Sequence, residues 1–279
     1  MFAILILFGA LFGSWFLLRK QSNSISLKEN VLLVTAHPDD EMMFFGPTLL
    51  MELRSRIIKA ISLDEKEKIE KISKLHLLCL SNGNYYGFGQ NRQQELNDCC
   101  KHLLNYLIEE QCDNDSTIRE LVRKLFQWKV LNDLRLQDSP ESNWSVDYIR
   151  TLVEEYVQQN NIGSLITFDQ TGVSDHPNHR AVSRAVSQSK FLKENCQIRL
   201  LETVALWRKY LSIFDLPLTC FLCWWNHSWR SISVESLRDY LNIVFSLRKH
   251  RSQMLWFRYL YSSTSRYLFI NSFRSVEDL

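Results

Sequence analysis

The chain has 279 residues, a formal net charge of +2, 23% charged and 46% hydrophobic content, room for one large domain with an appendage. No basic tract or Lys/Arg stripe speaks for nucleic acid, and no internal repeat or low-complexity stretch is present.

From the N-terminus, residues 2–18 are almost wholly apolar, broken only by Gly9, Gly13 and Ser14, and Arg19 and Lys20 follow at once. A signal peptide would carry a basic start and end in small residues, and neither is found here. As a helix the segment spans about 25 Å, close to the thickness of a thin bilayer. The reading is a single transmembrane anchor, and the positive charges on its C-terminal side place the rest of the chain in the cytosol. Residues 19–30 form a linker, and 31–279 the main domain. Seven cysteines at irregular spacing, with one C-x-x-C at Cys220 and Cys223 and no second pair, fit a reduced, cytosol-facing protein.

Beyond the linker, strand-like and helix-like segments alternate. Val31–Thr35 reads as a buried strand, Glu41–Arg54 as a helix apolar on nearly every face, and Asp64–Lys71 as a solvated helical face. Leu75–Leu80, Trp128–Leu131, Ser164–Phe168 and Ile198–Val204 read as strands, and Arg92–Glu109, Val146–Gln158 and His179–Ser187 as helices. This rhythm predicts an α/β fold, a Rossmann-like, mostly parallel sheet with helices on both faces. Residues 211–229 and 254–269 are rich in aromatic side chains. Either they belong to the core or they rest in a membrane interface, where Trp is favoured and where Arg258 and Arg266 would suit lipid phosphates.

Two segments carry chemistry. Ala36-His37-Pro38-Asp39-Asp40-Glu41 follows the first strand, and Asp175-His176-Pro177-Asn178-His179 follows Ser164–Phe168. In parallel sheets function gathers at the C-terminal strand ends, and both fall there. Together they offer up to three imidazoles and two adjacent carboxylates, enough for a three-ligand metal site with a base left over. Catalytic zinc takes three protein ligands and keeps a position open. Asp39 and Asp40 point in different directions, so one can ligate while the other serves as base. His176 and His179 are three apart, so one can ligate while the other reaches a substrate carbonyl. The remaining histidines, His76, His102, His227 and His250, read as structural or solvent-facing.

These motifs resemble the signature of the LmbE-like (PIG-L) zinc de-N-acetylases, and more closely its membrane-bound eukaryotic branch. That branch is marked by the apolar segment ahead of the domain, Arg92-Gln93-Gln94-Glu95-Leu96, Phe168–His179 and Arg251–Arg258. The resemblance implies that His37, Asp40 and His179 ligate Zn2+, although the donor set also suits other divalent first-row ions. It implies that Asp39 is the general base, that His176 stabilises the tetrahedral intermediate or protonates the amine, and that Arg92 and Glu95 help bind the sugar. Asn178 departs from relatives that have Asp there, and so implies a lower pKa for His176. The substrate implied is the glycolipid N-acetylglucosaminyl-phosphatidylinositol, deacetylated in the second step of GPI-anchor synthesis at the endoplasmic reticulum membrane. The alternatives are a deacetylase of another N-acetylglucosaminyl conjugate and a non-catalytic, membrane-tethered scaffold.

Overall fold

A computed structural model of the chain describes residues 2–22, 29–62, 72–112, 116–139, 143–226 and 230–278. The charged run Asp64–Lys71, the middle of the linker, His227 and Trp229 lie outside the described residues.

Five segments form parallel strands: β1 (Asn30–Thr35), β2 (Leu75–Cys79), β3 (Phe126–Val130), β4 (Ile162–Phe168) and β5 (Gln197–Leu201). β6 (Arg230–Ser233) and β7 (Ile270–Ser275) extend the sheet antiparallel, giving the order β3-β2-β1-β4-β5-β7-β6. The central strands are nearly all apolar because helices cover both faces. Along β1, Leu33 points into one layer with Leu77, Leu103 and Ile243, while Leu32 and Val34 point into the other with Val153 and Val182. The α/β expectation therefore holds, with two antiparallel strands added at one edge. The chain runs outward from β1 to β2 and β3, then returns to place β4 on the other side of β1. That reversal leaves a crevice above the C-terminal ends of β1 and β4.

The helix expected over Glu41–Arg54 is two helices, Asp40–Met43 and Gly46–Ile61. Pro47 starts the second, where its missing N–H costs nothing. The Asn271 side chain fills the break: its amide donates to the Phe44 carbonyl at 2.7 Å, and its oxygen accepts from Thr48 Oγ1 at 2.6 Å.

The N-terminal segment is one helix, Phe2–Ser22, reaching past the expected end at residue 18 and into the expected linker. Its second half does not stand free. Leu18 is buried with Leu216 and Ile270, Leu11 and Trp15 pack on the same cluster, and Trp15 Nε1 donates to the Val234 carbonyl at 2.8 Å. Phe8, Phe12 and Phe16 face outward. Among the described residues, no helix is long and apolar enough to cross a membrane. Where a single transmembrane anchor was expected, the described side chains of the helix dock on the sheet edge.

The two aromatic stretches divide between core and surface. In Leu216–Trp225, Leu216, Thr219 and Cys223 point inward while Phe221, Trp224 and Trp225 are exposed. Arg266 is not available to lipid. It is fully buried, with Nε 2.6 Å from Asp215 and Nη2 donating to Thr219 and Ser272.

Candidate metal centre and catalytic pocket

β1 ends at Thr35, and the chain turns sharply through Pro38 into the short helix beginning at Asp40. The turn is strained: Asp39 has φ 117°, a region L residues seldom enter. Asp40 stabilises it from below, its Oδ2 accepting from the Ala36 and His37 N–H groups at 3.1 and 2.9 Å. Its Oδ1 is left facing His179 Nε2 at 3.3 Å.

After β4 the loop is strained as well, with Val173 at φ 63° and Asp175 at φ 57°. Gly172, at φ 65°, lies so close to His179 that a Cβ there would sit 2.6 Å from the histidine's own Cβ. This approach lets the Gly172 carbonyl meet His179 Nδ1 at 2.9 Å. A histidine that donates from one ring nitrogen to a carbonyl presents the other to a metal, and His179 Nε2 is buried with no hydrogen-bond partner. His176 caps the helix Pro177–Gln188, its Nδ1 accepting from the Asn178 N–H at 3.3 Å. That bond puts the ring proton on Nε2.

The two strand ends thus bring His37, His176 and His179 together, each with a ring nitrogen within 4.8 Å of the others. Asp40 and Asp39 lie beside them, and all five line one pocket of about 480 Å³. Burial would raise the Asp40 carboxyl, but His179 and His37 pull it well below the usual carboxylate range. Burial likewise works against a charged His179, and Asp40 overrides it and raises the imidazole. Burial, reinforced by His37 and His179, lowers His176 to about 4. The causes do not include Asn178, on which the expectation of a lower value rested. The Asn178 side chain lies on His37, 2.9 Å from Nε2, and not on His176.

Of the two expected sugar-site residues, Arg92 lines the pocket and is braced by the Pro38 and Gly83 carbonyls at 3.0 and 3.1 Å. Glu95 does not reach it. Its carboxylate accepts from Ser252 N and Oγ at 2.7 and 2.6 Å, so it pins the turn Arg251–Gln253 that walls the pocket. Glu95 therefore shapes the pocket from outside its lining.

Four further residues make contacts at the site that the sequence reading did not assign. Asp138 lies 3.3 Å from both His37 Nε2 and Arg92 Nη1. Arg258 Nη2 meets Asp39 Oδ2 at 2.9 Å. Glu41 is fully buried, accepts from the Asp39 N–H at 3.0 Å, and pairs with the equally buried His250 at 2.5 Å. Glu41 completes the first motif and Arg258 ends the Arg251–Arg258 motif, but the partners of Asp138, Arg258 and His250 lie 46 to 219 positions away.

Comparison with known proteins agrees with this arrangement. Residues 32–190 match the family PIG-L, described as GlcNAc-PI de-N-acetylase. The N-acetylglucosaminyl-phosphatidylinositol de-N-acetylase of Bos taurus is 35% identical over 249 residues, covering 86% of this chain and 81% of that protein. Among solved structures, a deacetylase of the A40926 pseudoaglycone superposes with TM-score 0.52 at 10% identity, over 89% of this chain and 97% of its own. A triple mutant of a deacetylase of the teicoplanin biosynthetic pathway gives TM-score 0.52 at 11% identity, over 88% and 97%. At such identities the two structures speak for the fold alone. The family match and the 35% identity carry the assignment: this chain belongs to the PIG-L family of de-N-acetylases and is a hydrolytic enzyme.

Proposed function

We propose that the chain hydrolyses the acetamide of N-acetylglucosaminyl-phosphatidylinositol, releasing acetate and the free amine, and that it requires a divalent metal, zinc by preference. The observation that carries this is the meeting of His37, Asp39, Asp40, His176 and His179 in one pocket at the switch point of the sheet. The donor set fits a metal: His179 presents a buried, unpartnered Nε2, and the free oxygen of Asp40 lies 3.3 Å from it. His37, Asp40 and His179 would hold the ion. Bound there, zinc would polarise the acetamide carbonyl and acidify the attacking water.

The side chains account for the rest. Asp39, held between Arg258 and Arg92, removes a proton from water as it attacks the acetamide carbon and returns it to the departing amine. His176, its proton fixed on Nε2, donates to the oxygen on which negative charge develops. A histidine lowered to about 4 is neutral at pH 7. It therefore serves as a hydrogen-bond donor rather than as the acid for the amine, the same logic by which a neutral imidazole polarises a carbonyl elsewhere.

The membrane setting is part of the proposal. Phe12, Phe221, Trp224, Trp225, Trp256 and Phe257 are all exposed, and aromatic side chains of this kind favour the membrane interface. We place the enzyme on the cytosolic face of the endoplasmic reticulum, in line with the free state of all seven cysteines.

The test is a set of variants assayed for both zinc and turnover. Asp39→Asn should keep its zinc and lose about 10²-fold or more in kcat, as expected on removing a general base. Asp40→Ala and His179→Ala should lose zinc and turnover together. Full zinc occupancy in the latter two would refute the ligand assignment.

A further inference from the structure

We infer that Lys209 and Arg258 form a subsite for the phosphodiester of a lipid-linked substrate within the catalytic pocket. This rests on the deacetylase reading above and adds to it the part of the substrate that distinguishes a phospholipid from a free sugar.

Besides the carboxylates and imidazoles already described, the pocket lining carries two cations from separate elements: Lys209 closes the helix Leu206–Lys209, and Arg258 lies in the helix Trp256–Thr264. Lys209 Nζ donates to the Val173 carbonyl at 3.4 Å, and no ion pair engages it among the described residues. Burial lowers its pKa, and the neighbouring charge of Arg258 lowers it further. Arg258 engages Asp39 through Nη2 alone, while its Nε and Nη1 are buried without hydrogen-bond partners.

Asp39 meets only one nitrogen of Arg258, and two like charges on one pocket with further buried donors unmet favour a second anion. A guanidinium fork beside an ammonium matches two oxygens of a phosphate. The arrangement is held in place: Arg208, next to Lys209, donates to both oxygens of the buried Asp215 at 2.9 and 3.0 Å, and Arg266 secures Asp215 from the other side. The same pocket also has exposed aromatic and apolar lining, Tyr210, Trp256, Phe257 and Leu260. One pocket thus offers groups for the sugar, for a phosphate and for lipid, the three parts of a glycosylated phosphoinositide.

Arg258 touches Asp39, so its replacement would disturb chemistry as well, and Lys209 carries the test. The ratio of kcat/KM for N-acetylglucosaminyl-phosphatidylinositol to that for phosphate-free N-acetylglucosaminyl-inositol would be measured in the wild type, Lys209→Gln and Lys209→Arg. Loss of one charged hydrogen bond should lower that ratio about 10- to 100-fold in Lys209→Gln, mainly through KM, and Lys209→Arg should recover most of it. Calorimetric binding of glycerophosphoinositol, a soluble phosphodiester, should weaken by a similar factor. An unchanged ratio in a Lys209→Gln protein of wild-type melting temperature would overturn the subsite. So would binding of inorganic phosphate without binding of glycerophosphoinositol, since that would describe a free-phosphate site. If neither substrate turned over in the wild type, the deacetylase reading would fail by itself. The glycerophosphoinositol titration would still decide the subsite: weaker binding by Lys209→Gln supports it, and equal binding overturns it.

Discussion

Asp39 keeps its strained backbone because Glu41 accepts its N–H and His250 in turn balances Glu41, with both side chains fully buried. Removing one partner of such a pair leaves a buried charge and costs about 3–5 kcal/mol. His250→Gln should therefore be destabilised by about that amount and lose activity through misplacement of Asp39. The pH dependence has a definite sign. Burial pushes the His250 imidazole down, but Glu41 lifts it above its ordinary value. The ionic part of its contribution is thus complete below about pH 6.5, the unfolded value, and is lost as pH rises through the raised one. Urea unfolding at pH 6 and pH 9 should show the gap between wild type and His250→Gln narrowing at the higher pH. A gap that stays constant would mean that the pair is not ionic.

At the scale of elements, the loop after β4 depends on Gly172. Alanine there would meet both the positive φ and the 2.6 Å approach to His179. Gly172→Ala should lower stability by about 1 kcal/mol or more and weaken zinc binding by moving His179, both readable by thermal unfolding with and without the metal. The helix Gly46–Ile61 is tied down differently. Burial would raise Glu52, yet Arg199 and Arg56 hold its carboxyl below the usual range. Its stabilisation is present above the unfolded value of about 4 and is lost as pH falls through the depressed one. The parallel strands were legible because the central ones are mostly apolar, as in Val31–Val34 and Leu77–Cys79, and β3 alternates apolar with polar residues. β6 and β7 were not. Their buried positions include Ser231, Ser233, Asn271 and Ser272; Ser231 bonds Ser272 at 2.9 Å, Ser272 accepts from Arg266, and Asn271 bonds Thr48 and the Phe44 carbonyl. Internally paired polar residues erase the apolar pattern that marks a buried strand. The break before Gly46 was hidden for a related reason: it is closed by Asn271, 227 positions from the carbonyl it receives.

Over the whole molecule, the described part of the helix Phe2–Ser22, the helix Leu216–Trp225 and the pocket lining all expose aromatic side chains. Binding to a membrane interface scales with the apolar area it buries. Trp224→Ser combined with Trp225→Ser, both distant from the pocket lining, should lower partitioning onto phosphatidylcholine–phosphatidylinositol vesicles about tenfold in a flotation assay. Equal flotation would remove this surface from the membrane contact. The centre of the site could be read in advance because a strand-end motif keeps its chemistry within a few residues. Glu41–His250 and Asp39–Arg258 join residues more than 200 positions apart, and only the folded chain brings such partners together.

The central claim is metal-dependent hydrolysis of a glycolipid acetamide. Its most direct test is acetate release from N-acetylglucosaminyl-phosphatidylinositol by the purified full chain, before and after metal is stripped and zinc restored. The account predicts turnover that disappears on stripping, returns with zinc and is absent from Asp39→Asn. Turnover that survives complete removal of metal, or none in a protein carrying stoichiometric zinc, would contradict it.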